Sequence, residues 1–213
     1  MELGKVGVWA FLDMLPAKQA QETAKEIEDL GFPALWIPEA VGREAFTNSS
    51  LLLAGTRRLI VATGIANVWA RDAMAMVAAQ KTLAEAYPDR FLLGMGVSHA
   101  PLVGAVRGHE YAKPLSYMRR YLDAMDAAPF AAPAPTREPL RVLAALHPKM
   151  LALARERAHG SHPYFVPPEH TARARAALGS GKILAPEQAV CLETNPERAR
   201  RIARAHMAIY LGL

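Results

Sequence analysis

Polar and aromatic residues stand where short apolar runs of the chain break into turns. Glu39 follows the run PALWIP, Trp69 follows LIVATGIANV, and His99 follows RFLLGMGVS. Glutamate and histidine can donate or accept protons, and a carboxylate at the end of a strand must be solvated, paired or used. Glu39 and His99 are therefore candidate catalytic residues, and Trp69 is a candidate for stacking against a ligand ring.

The elements that position these residues follow a repeated order of strand, turn and helix, which is typical of a parallel α/β protein. In such folds the chemistry lies at the carboxyl ends of the strands. The apolar pattern predicts strands at residues 5–11, 34–37, 59–66, 91–97, 141–146 and 164–166, and one within 183–192. Helices are predicted at 48–56, 72–87 and 114–127, before Gly31, and after Pro148, Pro168 and Asn195.

The number of strand–helix units bounds the architecture. A closed barrel of eight units normally needs about 250 residues, and the chain has 213. Seven units would leave an open seam with two unpaired strand edges. The eighth unit is missing from this chain, or a partner covers the seam, or the fold is an open sheet. We favour the first and expect one C-terminally truncated domain over residues 1–213, a TIM (β/α)8-type barrel lacking the eighth strand–helix unit.

Composition narrows the class of protein. A hydrophobic share of 52% suits one globular domain with a sizeable core. The single cysteine, Cys191, excludes a disulfide framework and indicates a reducing cytoplasm. No signal peptide is recognised, and no apolar run approaches the ~18 residues of a membrane-spanning helix. The net charge of +5 comes largely from arginine-rich helix faces, and no aromatic interleaving or known motif supports nucleic-acid binding.

Six segments, in order, resemble the bacterial luciferase-like flavin monooxygenase superfamily: ALWIPEA, IVATGIANVWARD, RFLLGMGVSHAP, VLAALHPKML, SHPYFVPPEHTARAR and KILAPEQAV. They are most similar to the actinobacterial branch of oxidoreductases that depend on coenzyme F420, a deazaflavin. The resemblance covers nearly the whole chain. It implies a (β/α)8 barrel whose cofactor ring lies across the top of the barrel and whose phosphate tail runs toward the later strands.

The resemblance also implies roles for residues at the earlier strand ends. Glu39 is expected to face the ring or the substrate. Asn67, Val68 and Trp69 match the end of the third strand, where many members of the superfamily hold a non-proline cis peptide against the ring. Ser98 and His99 match the polar residues that end the fourth strand.

The turn HPKM matches the phosphate side of the family's site. The main-chain amides of Lys149 and Met150 are expected in the first turn of a helix, which favours an anion. His147 stands where other barrels of the superfamily often place a small residue such as glycine, so its side chain either contacts the phosphate or obstructs it. His162 is a further candidate at the same mouth. We expect no metal site, because His159 and His162 have no cysteine or carboxylate companions.

Three functions remain open at this point. The first is hydride transfer between coenzyme F420 and a small organic substrate, with His99 or Glu39 handling the accompanying proton. A close variant uses FMN and oxygen as a monooxygenase. The second is a truncated, non-catalytic domain that binds a ligand or partner through its open seam. The third is an unrelated barrel such as a sugar-phosphate isomerase or metal-dependent hydrolase. The sequence argues against it, because the residue patterns that such enzymes carry at their strand ends are absent. Analogy with the family also indicates a possible homodimer. The lack of a nucleic-acid-binding motif and of a membrane-length apolar run predicts no nucleic-acid or membrane partner.

Overall fold

The computed structural model describes residues 1–211, in which short parallel strands alternate with helices. The strands are β1 (Val8–Trp9), β2 (Ala34–Ile37), β3 (Ile60–Thr63), β4 (Ala66–Asn67), β5 (Phe91–Gly96), β6 (Arg141–Leu143), β7 (Gly160–Ser161) and β8 (Ile183–Leu184). The α-helices are α1 (Ala17–Asp29), α2 (Ala45–Ala54), α3 (Ala73–Ala86), α4 (Pro114–Asp126), α5 (Pro148–Arg157), α6 (Pro168–Leu178) and α7 (Pro196–Leu211). A π-helical segment, Leu102–Val106, precedes α4.

All strands are parallel and form one sheet in the order β1-β2-β3-β5-β6-β7-β8, with β4 also paired to β5. β3 and β4 are two parts of the predicted third strand, so the sheet has the seven strand positions that the sequence predicts. Among residues 1–211 no pairing joins β1 to β8. The predicted barrel-type α/β fold without a closed barrel is therefore confirmed, and all carboxyl strand ends lie at one edge of the sheet.

Two apolar layers form because the side chains of a strand alternate between the two faces of the sheet. On β2, Ala34 and Trp36 belong to an inner cluster with residues of β3, β5 and β6. Leu35 and Ile37 belong to a larger cluster with the apolar residues of the helices. Burial of both faces is typical of parallel strands covered by helices.

Helix boundaries follow local signals that are visible in the sequence. The Asp72 carboxylate accepts a hydrogen bond from the main-chain N–H of Ala75 at 2.8 Å and caps α3. Pro148 and Pro168 open α5 and α6, where a missing N–H costs nothing. In α2 the Glu44 carboxylate accepts from the N–H of Thr47, so this helix begins at Ala45 and not at residue 48.

Two strand predictions are wrong in detail. The predicted strand 59–66 divides into β3 and β4 at Gly64 and Ile65, whose peptide bond is cis. The predicted sixth strand at 164–166 lies instead at Gly160–Ser161. Gly160 approaches β8 so closely that a Cβ there would lie 1.9 Å from the Ile183 carbonyl oxygen. The chain therefore pairs at the small residues, and the aromatic residues that favoured a strand come after it.

The C-terminal helix differs from its predicted packing. The apolar spacing of the sequence predicts an inner stripe of Ala199, Ile202, Ala203 and Ile209 on this helix, but Ile202 is 48% exposed. The side chain of Ile209, predicted on the same stripe, lies outside the described part of the structure. No helix within residues 1–211 is long and apolar enough to cross a membrane.

Gly94 on β5 has no room for a side chain, because a Cβ there would lie 2.0 Å from the main-chain oxygen of Thr63. We expect Gly94→Ala to lower the free energy of unfolding by about 1–3 kcal/mol, the usual cost of overpacking. Urea unfolding measures this. The matched control is Gly181→Ala, where a Cβ meets nothing within 4 Å. Equal stability of the two variants would contradict the packing described here.

Candidate functional site

The Thr63 side chain connects β3 to β5 at the point where the main-chain ladder between them stops. The ladder joins β3 to β5 only at Val61 and Ala62. Beyond it, the Thr63 hydroxyl donates to the Gly94 carbonyl oxygen at 2.6 Å and accepts from the Gly94 N–H at 2.9 Å. One hydroxyl thus pairs with both main-chain groups of Gly94, so residues 64 and 65 can leave the ladder before β4 resumes the pairing with β5 at Ala66 and Asn67.

Glu39, at the carboxyl end of β2, is held from several sides. Its Oε2 accepts from the main-chain N–H of Asn67 at 2.7 Å, and its Oε1 accepts from that of Ala45 at 3.2 Å. The Arg71 guanidinium contacts both oxygens, with Nη1 3.0 Å from Oε2. Only 4% of the Glu39 side chain and 10% of the Arg71 side chain are exposed.

The charge on Arg71 is stabilised despite its burial. Burial opposes the charged form, but the hydrogen bonds and charge of Glu39, together with the charge of Glu44 at 2.8 Å, outweigh it and raise the pKa of Arg71 above its usual value. The Glu39 carboxylate is therefore the partner of a permanently charged group, with no oxygen left without a donor.

Asn67, Val68 and Trp69 follow one another at the end of β4, and each has a different environment. Asn67 is fully buried; its Oδ1 accepts from the main-chain N–H of Trp69 at 3.0 Å, and its Nδ2 has no partner among the described residues. Val68 is fully buried in the larger apolar cluster, between the sheet and the helices. The Trp69 ring stacks on Tyr117 with 3.8 Å between centroids, and its Nε1 donates to the Val97 carbonyl oxygen at 3.0 Å.

Ser98 and His99 begin the loop after β5. Ser98 adopts a left-handed conformation, and its carbonyl oxygen accepts from the Tyr111 hydroxyl at 3.1 Å. His99 is exposed at the surface, although neighbouring atoms desolvate its ring enough to lower its pKa below the usual value. Further along, Arg107 donates from Nη2 to the Ala40 carbonyl oxygen at 3.1 Å. The loop therefore bridges the ends of β2 and β5.

His162 lies inside the barrel mouth, stacked on Trp36 at 4.4 Å between ring centroids. Its Nδ1 is 2.6 Å from the Ala185 carbonyl oxygen, which can only accept, so Nδ1 carries the hydrogen and Nε2 is left as an acceptor. Nε2 is buried without a partner among residues 1–211 and faces Gly64, where a Cβ would lie 3.0 Å away. Burial lowers the pKa of His162 to about 4.

The turn after β6 is exposed, and it is arranged differently from the expectation. His147 stands at the N-cap of α5 and makes no side-chain capping bond. The Met150 N–H donates to the His147 carbonyl oxygen at 3.0 Å, so this amide is already used within the turn. Lys149 is exposed beside it. His170 of α6, which the sequence did not indicate, has its Nε2 2.6 Å from the Leu146 carbonyl oxygen and fixes the turn.

The candidate residues divide into two groups along the sheet edge. The ends of β2, β4 and β5 carry Glu39, Asn67, Val68, Trp69, Ser98 and His99, and the contacts described above join Glu39 to Asn67 and Trp69 to Asn67 and Val97. His162 reaches toward the same segment from β7 through its proximity to Gly64. His147, Lys149 and Met150 lie apart, on the turn that follows β6. Among residues 1–211 no group of histidine, cysteine, aspartate and glutamate could hold a metal ion.

Sequence reasoning missed Thr63, Tyr117 and Arg71. The sequence places Arg71 just before Asp72, at the start of the predicted helix 72–87, and gives it no further role. A signal was nevertheless present: an arginine placed close after a strand end, with two glutamates after the preceding strand, offers partners for a buried carboxylate. The contact itself joins residues 32 positions apart, and only the fold reveals it.

A parallel barrel-type sheet with polar groups gathered at its carboxyl edge is the architecture of barrel enzymes. A family model described as luciferase-like monooxygenase matches residues 5–211. The chain belongs to this family, as its sequence motifs indicated.

Sequence similarity to a known protein is consistent with membership of this family. A protein of Mycobacterium tuberculosis (strain ATCC 25618 / H37Rv), named as a coenzyme F420-dependent oxidoreductase, is 32% identical over 124 residues, which are 58% of this chain and 35% of that protein. The matched region thus spans about a third of the length of this relative.

Solved structures share the fold at low sequence identity. An F420-dependent secondary alcohol dehydrogenase in complex with an F420–acetone adduct has a TM-score of 0.74 and 16% identity, over 85% of this chain and 68% of that one. The F420-dependent tetrahydromethanopterin reductase of Methanopyrus kandleri also has a TM-score of 0.74 and 16% identity, over 91% and 68%. The oxygenating constituent of the 3,6-diketocamphane monooxygenase of Pseudomonas putida, in complex with FMN, has a TM-score of 0.73 and 14% identity, over 93% and 70%. These likenesses confirm the fold.

Replacing the Thr63 hydroxyl by a methyl group tests its connection to β5. Thr63→Val keeps the shape of the side chain but leaves the buried N–H and C=O of Gly94 without this partner, so we expect the free energy of unfolding to fall by about 1–3 kcal/mol. Thr63→Ser keeps the hydroxyl and is the matched control. The assignment fails if valine and serine are tolerated equally in urea unfolding.

The buried, neutral His162 makes stability depend on pH. Its folded pKa of about 4 lies below the ordinary value of 6.5, so between these values the unfolded chain binds the extra proton. This contribution is complete above pH 6.5 and is lost as the pH falls toward 4, by up to about 3 kcal/mol. Urea unfolding of the wild type and His162→Leu across this range measures it. The wild type and His109→Leu, an exposed control that retains His162, should both lose this stability, and His162→Leu should not. Parallel pH profiles for wild type and His162→Leu would refute it.

Proposed function

We propose that the protein is an oxidoreductase that binds coenzyme F420 at the carboxyl ends of its strands and acts on a small organic substrate. The observation that carries the proposal is a pair of buried polar atoms, Asn67 Nδ2 and His162 Nε2, that have no partner among residues 1–211. Buried polar groups are rarely left unpaired without a reason. The curated relative named as F420-dependent and the two F420-dependent structures with the same fold support the choice of cofactor.

The chemistry of these two atoms fits the ring of a deazaflavin. Asn67 Nδ2 is a donor and His162 Nε2 is an acceptor, and the ring carries carbonyl oxygens and an N–H along one edge. A side chain at Gly64 would meet Trp9 Nε1 at 2.9 Å and His162 Nε2 at 3.0 Å, so the main chain of this segment lies close to the His162 acceptor. Trp69 and Ser98 lie at the same edge of the sheet and would border the ring.

The phosphate tail would lie toward β6. Lys149 supplies a positive charge, and the first turn of α5 has the dipole orientation that favours an anion. The His147 side chain is exposed at the N-cap and free of a capping bond, so it can contact a phosphate. Because the Met150 N–H already donates to the His147 carbonyl oxygen, Met150 would contribute packing.

When bound, F420 supplies hydride transfer, and the protein's part is to orient the reactants, exclude water and handle a proton. We assign the proton to His99, which is accessible and has its pKa lowered by partial desolvation, so it is neutral and able to accept a proton near neutral pH. Glu39 suits this role less well, because both its oxygens are bound by Arg71 and main-chain N–H groups. We assign Glu39 to holding the segment 64–67.

FMN is the second candidate cofactor, because an FMN complex of a monooxygenase has the same fold at a similar TM-score. The donor–acceptor pair described above would serve either ring, since both carry the same kind of amide edge. In that case the reaction would be an oxygenation.

Fluorescence titration of the 213-residue chain with F420, and with FMN in parallel, tests the proposal. We expect saturable micromolar binding of F420 and weaker binding of FMN. His162→Leu removes the acceptor and should weaken F420 binding about tenfold, the effect of losing about 1.4 kcal/mol. Arg119→Met, on the exposed face of α4, is the control.

The outcomes separate the candidate functions. Binding of FMN alone would replace the proposal by the monooxygenase alternative. Binding of neither by a folded chain would overturn it and favour a non-catalytic domain. Unchanged F420 affinity in His162→Leu would remove His162 from the site while leaving the cofactor in place.

A further inference from the structure

Within residues 1–211, the short strand β4 has a strand neighbour on only one side. Toward β5 it is paired in the ordinary way, with Asn67 opposite Gly96 and the Val68 N–H donating to the Gly96 carbonyl oxygen at 3.1 Å. Toward β2 the ladder ends earlier: Ile37 pairs with Thr63, and its carbonyl oxygen accepts from the Gly64 N–H at 2.7 Å. The residue after Ile37 is a proline, which has no N–H to offer.

An ion pair occupies the place where β2 would continue. Glu39 Oε2 accepts from the main-chain N–H of Asn67 at 2.7 Å, and Arg71 Nη1 donates to the main-chain oxygen of Asn67 at 3.2 Å. Asn67 thus meets one acceptor and one donor on this side, the pair of contacts that a neighbouring strand provides. The Glu39–Arg71 pair therefore substitutes for a strand.

The pair is itself fixed by its surroundings. Arg71 Nη2 is bound to Glu44 Oε1 at 2.8 Å, and the Arg71 guanidinium lies over the Phe46 ring at 5.1 Å from its centroid. The Tyr121 hydroxyl donates to the main-chain oxygen of Arg71 at 2.9 Å. With Glu39, these contacts come from the β2–α2 turn, α2 and α4: the first two fix the guanidinium, and the third fixes the main chain of Arg71.

We propose that Arg71 is a positioning residue for the segment Gly64–Asn67, which it holds through Glu39 in the conformation that receives the cofactor ring. The identity of the ligand rests on the proposed function, whereas the role of Arg71 rests on the contacts above. A planar guanidinium is required, because one nitrogen must reach Glu39 and the Asn67 carbonyl oxygen while the other reaches both glutamates. Lysine cannot make this arrangement.

The experiment must separate positioning from the cost of an unpaired charge. Arg71→Met leaves Glu39 buried without its partner and is expected to destabilise the fold strongly. The double variant Glu39→Gln/Arg71→Met removes both charges, keeps an acceptor for the Asn67 N–H and lacks the arginine that donates to the Asn67 oxygen. Arg71→Lys keeps the charge alone. Arg119→Met, which breaks the exposed Arg119–Glu156 pair, is the matched control.

Three quantities are measured for each variant: the melting temperature, hydrogen–deuterium exchange of the amides in residues 64–70, and the dissociation constant for F420. We expect the double variant to recover most of the melting temperature lost in Arg71→Met. Its amides in 64–70 should still exchange faster than in the wild type, and F420 should bind about tenfold more weakly or worse. Arg71→Lys should show the same two defects to a smaller degree.

A double variant with wild-type exchange in 64–70 would overturn the inference, as would wild-type affinity for F420. If Arg71→Met does not fold, the double variant and Arg71→Lys still test the positioning role of Arg71. If the wild type binds neither F420 nor FMN, the proposed function fails, and the exchange data decide the role of Arg71 alone. Faster exchange confined to the variants of Arg71, and absent from Arg119→Met, supports it.

Discussion

The structure depends on how the main-chain N–H and C=O groups are hydrogen-bonded at the end of β3, where the regular pairing between strands is interrupted. Main-chain N–H and C=O groups that are buried must find partners, and a strand that bends out of a sheet loses them on both sides. Here side chains supply the missing partners: the Thr63 hydroxyl toward β5, and the Glu39 carboxylate with the Arg71 guanidinium toward β2. The departure from regular pairing is compatible with a buried position only because these groups are present.

This arrangement separates two kinds of polar group at the mouth of the barrel. Thr63, Glu39 and Arg71 have their hydrogen-bonding capacity used within the protein. Asn67 Nδ2 and His162 Nε2 do not; Asn67 ends the segment 64–67, and His162 Nε2 lies beside Gly64 at its start. At this buried position, an unpaired charged group would cost much folding free energy. A neutral amide and a neutral imidazole can stay available for a ligand at a smaller cost. The low pKa of His162 follows from the same burial, which disfavours the charged form of its ring.

Much of the fold could be predicted from the sequence because its signals are local. The predicted strand 34–37 coincides with β2, and the predicted 91–97 overlaps β5, since both are continuous apolar runs. Asp72, Pro148 and Pro168 marked helix starts through chemistry that acts within one turn. β7 was missed because its two residues, Gly160 and Ser161, carry no strand preference, and their pairing follows from how closely β8 can approach.

The candidate site could be predicted only as a set of strand ends. Parallel pairing brings such ends to one edge, and Glu39, Asn67 and His99 all lie at a strand end or within three residues after one. Which of them is free to act depends on hydrogen-bond partners far along the chain. The Arg71 contact that occupies Glu39, and the Tyr117 ring that covers one face of Trp69, depend on helix packing and leave no local pattern.

The tryptophans give the protein an intrinsic fluorescence signal that comes from the mouth of the barrel. The chain has three, and each touches the mouth of the barrel: the Trp9 indole donates to the Gly64 carbonyl oxygen, Trp36 lies against His162, and Trp69 lies against Tyr117. Intrinsic emission therefore originates at one end of the molecule and reports the state of that end before it reports unfolding elsewhere. Protonation of His162 would quench Trp36, on which its ring stacks, and a chromophore lying in the mouth would be close to all three.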